Sequence, residues 1–482
     1  MCKLQKKTTI LFVIFLLLVI FTRFYNLAGT ARFTQDESSD LARMNEYYRN
    51  KQISLVGPIS NDRSKVFSSL GYYMVMPFAV AFDFTPVSPV YGMAFLGTLT
   101  AIFMLLLVRS INKEKTILAG ILITIWFPLV LVSRWAWNPH FVIFWASLAL
   151  LLYQYRTKIG SWAYPFIGLF LGFMFHHHYV AILTTAPFLL FISIPLLKKK
   201  QFKPVILLAM GYLLPYLIFL LFDLKNPPGL FFGKYLMGGN TPNIENQLTF
   251  SIMWNNLTRN IKIYLAAFLE NSFLQILFGF SILSLLLLEL KNNFYRTLTW
   301  VIPSITIIFG GIFLKDFQIR YVFSSTAFLF VWLFFPRKNK FSNFFANFSI
   351  CVLIIGSLLS IKSQLTLSEV TPNMRTFTKA SQIIINTISE HKLNNSNVAA
   401  LASSDDAPLA ERYRDYIRMK DTGLRSESEY DVSEHLFVIS TANDEILRAD
   451  NSYAMIAFKD KALRGIFDIA GTEWKVFWYG TE

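Results

Sequence analysis

The chain has 482 residues, 54% of them hydrophobic and only 16% charged, where a soluble domain carries about 25% charged. Aromatic residues make up 16%, phenylalanine alone supplies 48 positions, and the net charge is +15. These figures exclude a disordered chain, a coiled coil and an ordinary soluble enzyme.

The charge is unevenly spread. Through Gln364 there are 32 Lys+Arg against 12 Asp+Glu, a net of +20; the rest carries 13 against 18, a net of −5. An apolar, basic part followed by a polar, mildly acidic tail reads as an integral membrane protein with a soluble C-terminal domain, and the basicity requires no nucleic acid. Cys2 and Cys351 form neither a disulfide framework nor a CxxC metal site.

In chain order, the apolar stretches Thr8–Tyr25, Val87–Val108, Thr116–Val132, Phe141–Tyr155, Ser161–Phe175, Tyr179–Leu197, Pro204–Phe222, Phe273–Leu290, Leu298–Leu314, Tyr321–Phe335 and Phe341–Ile361 predict eleven membrane helices. The first reads as an uncleaved anchor, because Gly29 and Ala31 lie beyond the apolar run. Basic residues test the count. With the amino end inside, 17 of the 32 fall in the short inside segments, and only Glu114 and Glu289 of the 12 acids join them. One missed span would scramble that separation from its position onward.

Two outside loops, 26–86 and 223–272, are too long to be plain connectors. They contain the amphipathic stretches Gly71–Phe84 and Ile261–Leu269, which suit an interface. The membrane domain accordingly runs over 1–362 and the tail over 363–482. In the tail, Val398–Ala402, Leu436–Ser440, Tyr453–Phe458 and Trp474–Trp478 read as strands, and Phe377–Ile388 and Pro408–Met419 as helices. The expected fold class is an all-α polytopic membrane bundle of about eleven helices with a small extracytoplasmic α+β domain.

Just after the first span, Thr34-Gln35-Asp36-Glu37-Ser38-Ser39-Asp40 opens with a Thr-x-x-Glu capping box, so a helix begins there. The cap and the helix dipole account for Glu37 and Asp36 as local structure. They do not account for an acidic cluster beside the membrane at the mouth of the longest outside loop. An Asp-Glu pair in that position resembles the signature of the GT-C glycosyltransferases, which include protein O-mannosyltransferases, aminoarabinose transferases of lipid A and Rgt-type galacturonosyltransferases. Ser133-Arg134-Trp135-Ala136-Trp137-Asn138-Pro139 resembles their SR-x-A-x-NP turn, and Gly172-Phe173-Met174-Phe175-His176-His177-His178-Tyr179 their turn ending in His-Tyr. Gly211-Tyr212-Leu213-Leu214-Pro215 and Phe222-Asp223-Leu224-Lys225-Asn226 are similar to the end of their seventh span. Arg320-Tyr321 is similar to an Arg-Tyr pair opening a late span.

The resemblance implies the GT-C fold and transfer of a sugar from a polyprenyl-phosphate donor to a lipid, glycan or protein acceptor on the outer face of the cytoplasmic membrane. It implies Asp36 as base, with Glu37 as second acid or as cap. It puts the donor phosphate near Arg320, His178, Arg134 and Lys65. For Arg134 and Arg320 the alternative is a snorkelling side chain at a helix end. No cofactor is required, though a divalent metal ion is open, with Glu37, His176 and His178 as candidate ligands. The chemistry agrees: a carboxylate accepts the proton of the attacking hydroxyl, and a cation stabilises the phosphate leaving group. The rival class is a transporter or lipid flippase. Such proteins place ionisable residues near the bilayer midplane, whereas here they crowd at helix ends on one side.

Overall fold

A computed structural model of the chain describes residues 2–59, 66–227, 229, 249–314, 317–366, 374–401, 410–420, 422–458 and 461–480. The chain divides into two compact units. The first comprises 1–25, 55–74 and 93–365; the second comprises 26–54, 75–92 and 366–482.

The first unit is a helical bundle, and each of the eleven apolar segments is helical. Helices are what an apolar chain must form where no water is present to satisfy its backbone. Hydropathy did not show the breaks. Thr116–Val132 is two helices, Thr116–Ile125 and Phe127–Ser133, bent by 49°. Pro204–Phe222 is likewise Phe202–Leu213 and Tyr216–Lys225, bent by 45° where Pro215 cannot donate its backbone nitrogen. The stretch Ser272–Gly310 carries the eighth and ninth segments, separated at Asn293, whose backbone (φ −146°, ψ 53°) is not helical. Among the described residues, four helices are long and apolar enough to cross a membrane, or up to six when each bent pair counts as one span. Strands β1 (Val56–Ile59) and β2 (Val66–Ser68) add an antiparallel hairpin.

Small residues set the closest helix crossing. A Cβ on Gly168 would sit 2.1 Å from the Leu208 carbonyl oxygen, and one on Gly211 would sit 1.9 Å from that of Pro165. Gly172 faces the Tyr212 carbonyl in the same way, at 2.6 Å. Gly168 and Gly172 form a Gly-x-x-x-Gly pair, the pattern that lets two helices touch backbone to backbone. Helices Ala163–His177 and Phe202–Leu213 are thereby locked together.

The second unit is built on a four-stranded sheet in the order β3 (Ser396–Ala400), β4 (His435–Ser440), β6 (Lys475–Gly480) and β5 (Ala462–Asp468). β3 and β4 are parallel, and the other two pairs are antiparallel. Helix Met374–Glu390 buries Phe377, Ala380, Ile384 and Ile388, one stripe at helical spacing. The core beneath the sheet includes Leu436, Val438, Phe458, Phe477 and Tyr479. One expected strand is corrected: Tyr453–Phe458 opens as the short helix Tyr453–Ala457, because the Ser452 hydroxyl caps the Met455 N–H. β5 has no apolar cluster to mark it in the sequence, since its residues alternate between exposed and half-buried. The expected helix over Pro408–Met419 spans Glu411–Arg418, and Pro408 lies outside the described residues.

Candidate functional site

In the first unit the Ser133–Pro139 turn follows the bent helix pair. Gly97 makes room for it, as a Cβ there would fall 2.2 Å from that of Ser133. The rings of Trp135 and Trp137 stack at 4.7 Å, and His140 meets both edge-on at 4.9 and 5.4 Å. The His140 Nδ1 lies 3.0 Å from the Trp135 carbonyl, which fixes the turn. Asn138 then joins this turn to the histidine turn. Its side-chain amide donates to the His177 carbonyl at 2.7 Å, and its Oδ1 lies 3.0 Å from His177 Nδ1.

Three consecutive histidines leave a helix in three directions, and each has a different environment. His177 accepts the Trp145 indole N–H on Nε2 at 2.9 Å, so both of its nitrogens are engaged. His176 is engaged on both sides as well, with Ser68 Oγ 3.0 Å from Nδ1 and the Pro215 carbonyl 2.8 Å from Nε2. That second contact follows from the glycine-lined crossing, which brings the end of Phe202–Leu213 against this turn. His178 has left the helix (φ −158°), and its Nδ1 accepts the Val180 N–H at 3.3 Å. The neutral tautomer with the proton on Nε2 is the one that geometry selects. Its ring lies 4.9 Å from Tyr179, 4.9 Å from Tyr321 and 6.0 Å from Phe67.

Arg320 opens helix Ile319–Leu333. Its guanidinium carbon lies 4.9 Å from the Trp137 ring centre and 5.5 Å from that of Tyr321. Its Nε is buried without a hydrogen-bond partner, and no carboxylate among the described residues pairs with it. Trp137, Arg320, Tyr321 and His178 therefore form one continuous contact chain drawn from three separate sequence motifs. A guanidinium held on aromatic faces, with no carboxylate partner among the described residues, can offer its N–H fork to an oxyanion.

Arg134 is placed differently. Its terminal nitrogens donate to the carbonyls of Thr22, Arg23 and Tyr25 at 3.1, 3.2 and 2.8 Å, at the end of the first helix. Lys65 lies outside the described residues. No group of three or more His, Cys, Asp or Glu with metal-binding geometry occurs among the described residues. His176 and His177 in particular have both ring nitrogens committed to protein groups.

Asp36 and Glu37 belong to the second unit, on helix Gln35–Arg49. Glu37 is buried, and its Oε2 accepts the Thr34 N–H and hydroxyl, both at 2.6 Å. The capping box read from the sequence is formed. Asp36, the residue before it, is half-buried. The same helix rests on the tail: Ser38 Oγ donates to the Arg412 carbonyl at 2.6 Å, and Ser39 Oγ to Asp415 Oδ2 at 2.8 Å. Arg412 returns a bond to the Phe33 carbonyl at 3.0 Å, while Phe33 packs on Phe377 at 4.7 Å. Helix Glu411–Arg418 is thus the support of the acidic helix. Its partnership with residues 33–39 had no signal in the sequence. The Gly168/Gly172 spacing that supports the histidine turn, by contrast, is legible in the sequence.

The helical bundle with its small α+β unit is the GT-C fold. Among solved structures, ArnT from Cupriavidus metallidurans, crystallised bound to undecaprenyl phosphate, aligns with a TM-score of 0.56 over 98% of this chain and 98% of its own, at 10% identity. No family model and no curated protein matches the sequence.

Proposed function

We propose that the protein is a multi-pass membrane glycosyltransferase, in a prokaryotic cytoplasmic membrane with its amino end inside and its tail outside. It transfers a sugar from a polyprenyl-phosphate carrier to a lipid, glycan or protein acceptor. The observation that carries this reading is the convergence of three distant motifs on one aromatic cluster around Arg320. The fold shared with a protein solved bound to undecaprenyl phosphate supports it.

In the proposed step the acceptor oxygen bonds to the anomeric carbon with inversion, as the bond from that carbon to the phosphate oxygen breaks. The acceptor proton passes to the Asp36 carboxylate, and the leaving polyprenyl phosphate keeps the electron pair. Asp36 stands in the first turn of its helix. Arg320 holds the departing phosphate oxygens, with His178 as a further phosphate contact. Glu37, committed to the cap, positions Asp36.

The test is transfer from total lipid-linked sugars to a membrane acceptor. Asp36→Asn should lower turnover by ~10²–10⁴, the usual share of a general base, with thermal stability unchanged. Arg320→Ala should weaken polyprenyl phosphate binding at least about tenfold, because a hydrogen bond to a charged group is worth ~1.5–3 kcal/mol. Full activity in Asp36→Asn removes the base; unchanged lipid binding in Arg320→Ala removes the phosphate site.

A further inference from the structure

An apolar groove with a basic end lies elsewhere in the first unit. Arg109 stands in the last turn of helix Ser88–Ile111, and Lys113 opens the short turn Lys113–Lys115 that leads into Thr116–Ile125. Between this hairpin and the first helix runs a groove of about 460 Å³, lined by Leu11, Phe12, Leu18, Leu105, Gly120 and Ile121 and ending at Arg109 and Lys113. Leu11, Leu18 and Ile121 are 41%, 50% and 49% exposed, so its walls are not closed by other protein elements. The groove follows Thr116–Ile125, a length of roughly 15 Å at 1.5 Å per residue, enough for much of an acyl chain. Gly120 keeps the floor low: a Cβ there already touches Phe15 and Leu105 at 3.5 and 3.6 Å, so any larger side chain enters the groove.

The charge at the end of the groove selects the occupant. Arg109 and Lys113 are exposed, and neither has an ion-pair partner among the described residues. An apolar slot closed by two unneutralised cations complements a lipid with an anionic headgroup. A zwitterionic lipid brings its own cation to the same place.

We infer that this groove binds an anionic phospholipid, its phosphodiester against Arg109 and Lys113 and an acyl chain along Thr116–Ile125. This is not the donor site, because Lys113 and Trp137 flank opposite ends of the bent pair Thr116–Ile125 and Phe127–Ser133.

Native mass spectrometry of the full-length protein tests this, after exchange into micelles holding equal amounts of phosphatidylglycerol and phosphatidylcholine. The wild type should retain phosphatidylglycerol over phosphatidylcholine by about thirtyfold, as two basic residues near a lipid surface provide. Arg109→Ala with Lys113→Ala should abolish that preference, and Gly120→Leu should lower retention of both lipids. The two cations are exposed, so the double variant is expected to fold even if Gly120→Leu does not. Equal retention of the two lipids by the wild type, or an unchanged preference in the double variant, overturns the inference. So does displacement of the lipid by millimolar inorganic phosphate, which would mark an ion site only.

Discussion

Buried arginine is handled differently in the two units. In the bundle, the Arg23 guanidinium reaches the carbonyls of Ile123 and Thr124 at 2.7 and 2.5 Å, and Arg134 reaches those of Thr22, Arg23 and Tyr25. Each takes up carbonyls at the end of a neighbouring helix. In the second unit, Arg414 works as a cross-brace. It donates to Asn397 Oδ1 and the Val398 carbonyl of β3, to the Arg425 carbonyl, and to the Tyr430 hydroxyl. The difference follows from where free acceptors exist. In an all-helical bundle every mid-helix carbonyl is consumed, and only the last turn has carbonyls to offer. β3 is an edge strand paired on one side alone, so its outward carbonyls are open to a side chain. Burial holds the Arg414 guanidinium below the usual arginine range, which makes its acceptors the more necessary.

The largest way to break this contrast is through the backbone of the bundle. Gly211→Leu drives a side chain into the Pro165 carbonyl, 1.9 Å from where its Cβ must lie. Main chain cannot move aside cheaply, and a loss above ~4 kcal/mol is expected. The variant should fail to elute as a folded species in detergent. A wild-type melting temperature would show that the glycine crossing does not hold the bundle.

Next come the two kinds of arginine. Arg414→Met removes four charge-assisted hydrogen bonds at once, although the Val398 and Arg425 carbonyls and Asn397 Oδ1 keep the Tyr430 hydroxyl, Arg418 and the Val398 N–H as donors, and should cost ~3–5 kcal/mol. Arg134→Met leaves carbonyls at a helix end, which a 3₁₀ turn or water can satisfy, and should cost ~1–3 kcal/mol. Thermal unfolding of both variants in the same detergent decides it. A larger loss for Arg134 would reverse the account of where acceptors are scarce.

The same physics sets what could be read beforehand. The bundle helices were legible because an apolar run of sufficient length has one available structure, and their ends were marked by basic residues. The breaks at Pro215 and Asn293 were not, since hydropathy averages over single residues. In the tail, Tyr453–Phe458 looked like a strand by apolar content, and one serine cap decided otherwise. By composition the histidine cluster is a metal candidate. What fixes two of its members, Asn138, Trp145, Ser68 and Pro215, is remote in sequence. Asp36 and Glu37 were readable through their local cap, while the Arg412 and Asp415 contacts that seat their helix lie some 370 residues further on.

The smallest expected effect compares two copies of one local motif. Thr34-x-x-Glu37 opens a helix of 15 residues with its glutamate buried. Ser426-x-x-Glu429 makes the same contacts, with Glu429 Oε2 accepting the Ser426 hydroxyl and N–H at 2.5 and 2.9 Å, yet no helix follows. Gly423 and the serines around it favour a turn, so here the box closes a loop. The Ser426 hydroxyl, then its N–H, and the nearby Arg425 hold the Glu429 carboxyl below the usual carboxylate range. A carboxyl lowered on folding contributes stability above its unfolded pKa, and that contribution is lost as the pH falls through the folded value. Glu429→Gln should therefore lower the melting temperature slightly at pH 7, by less than either arginine variant. The gap between variant and wild type should narrow below about pH 4, where the free carboxylate begins to protonate, and close once the folded form is protonated too. A gap that persists undiminished at pH 2 would mean that Glu429 acts through packing and not through its charge.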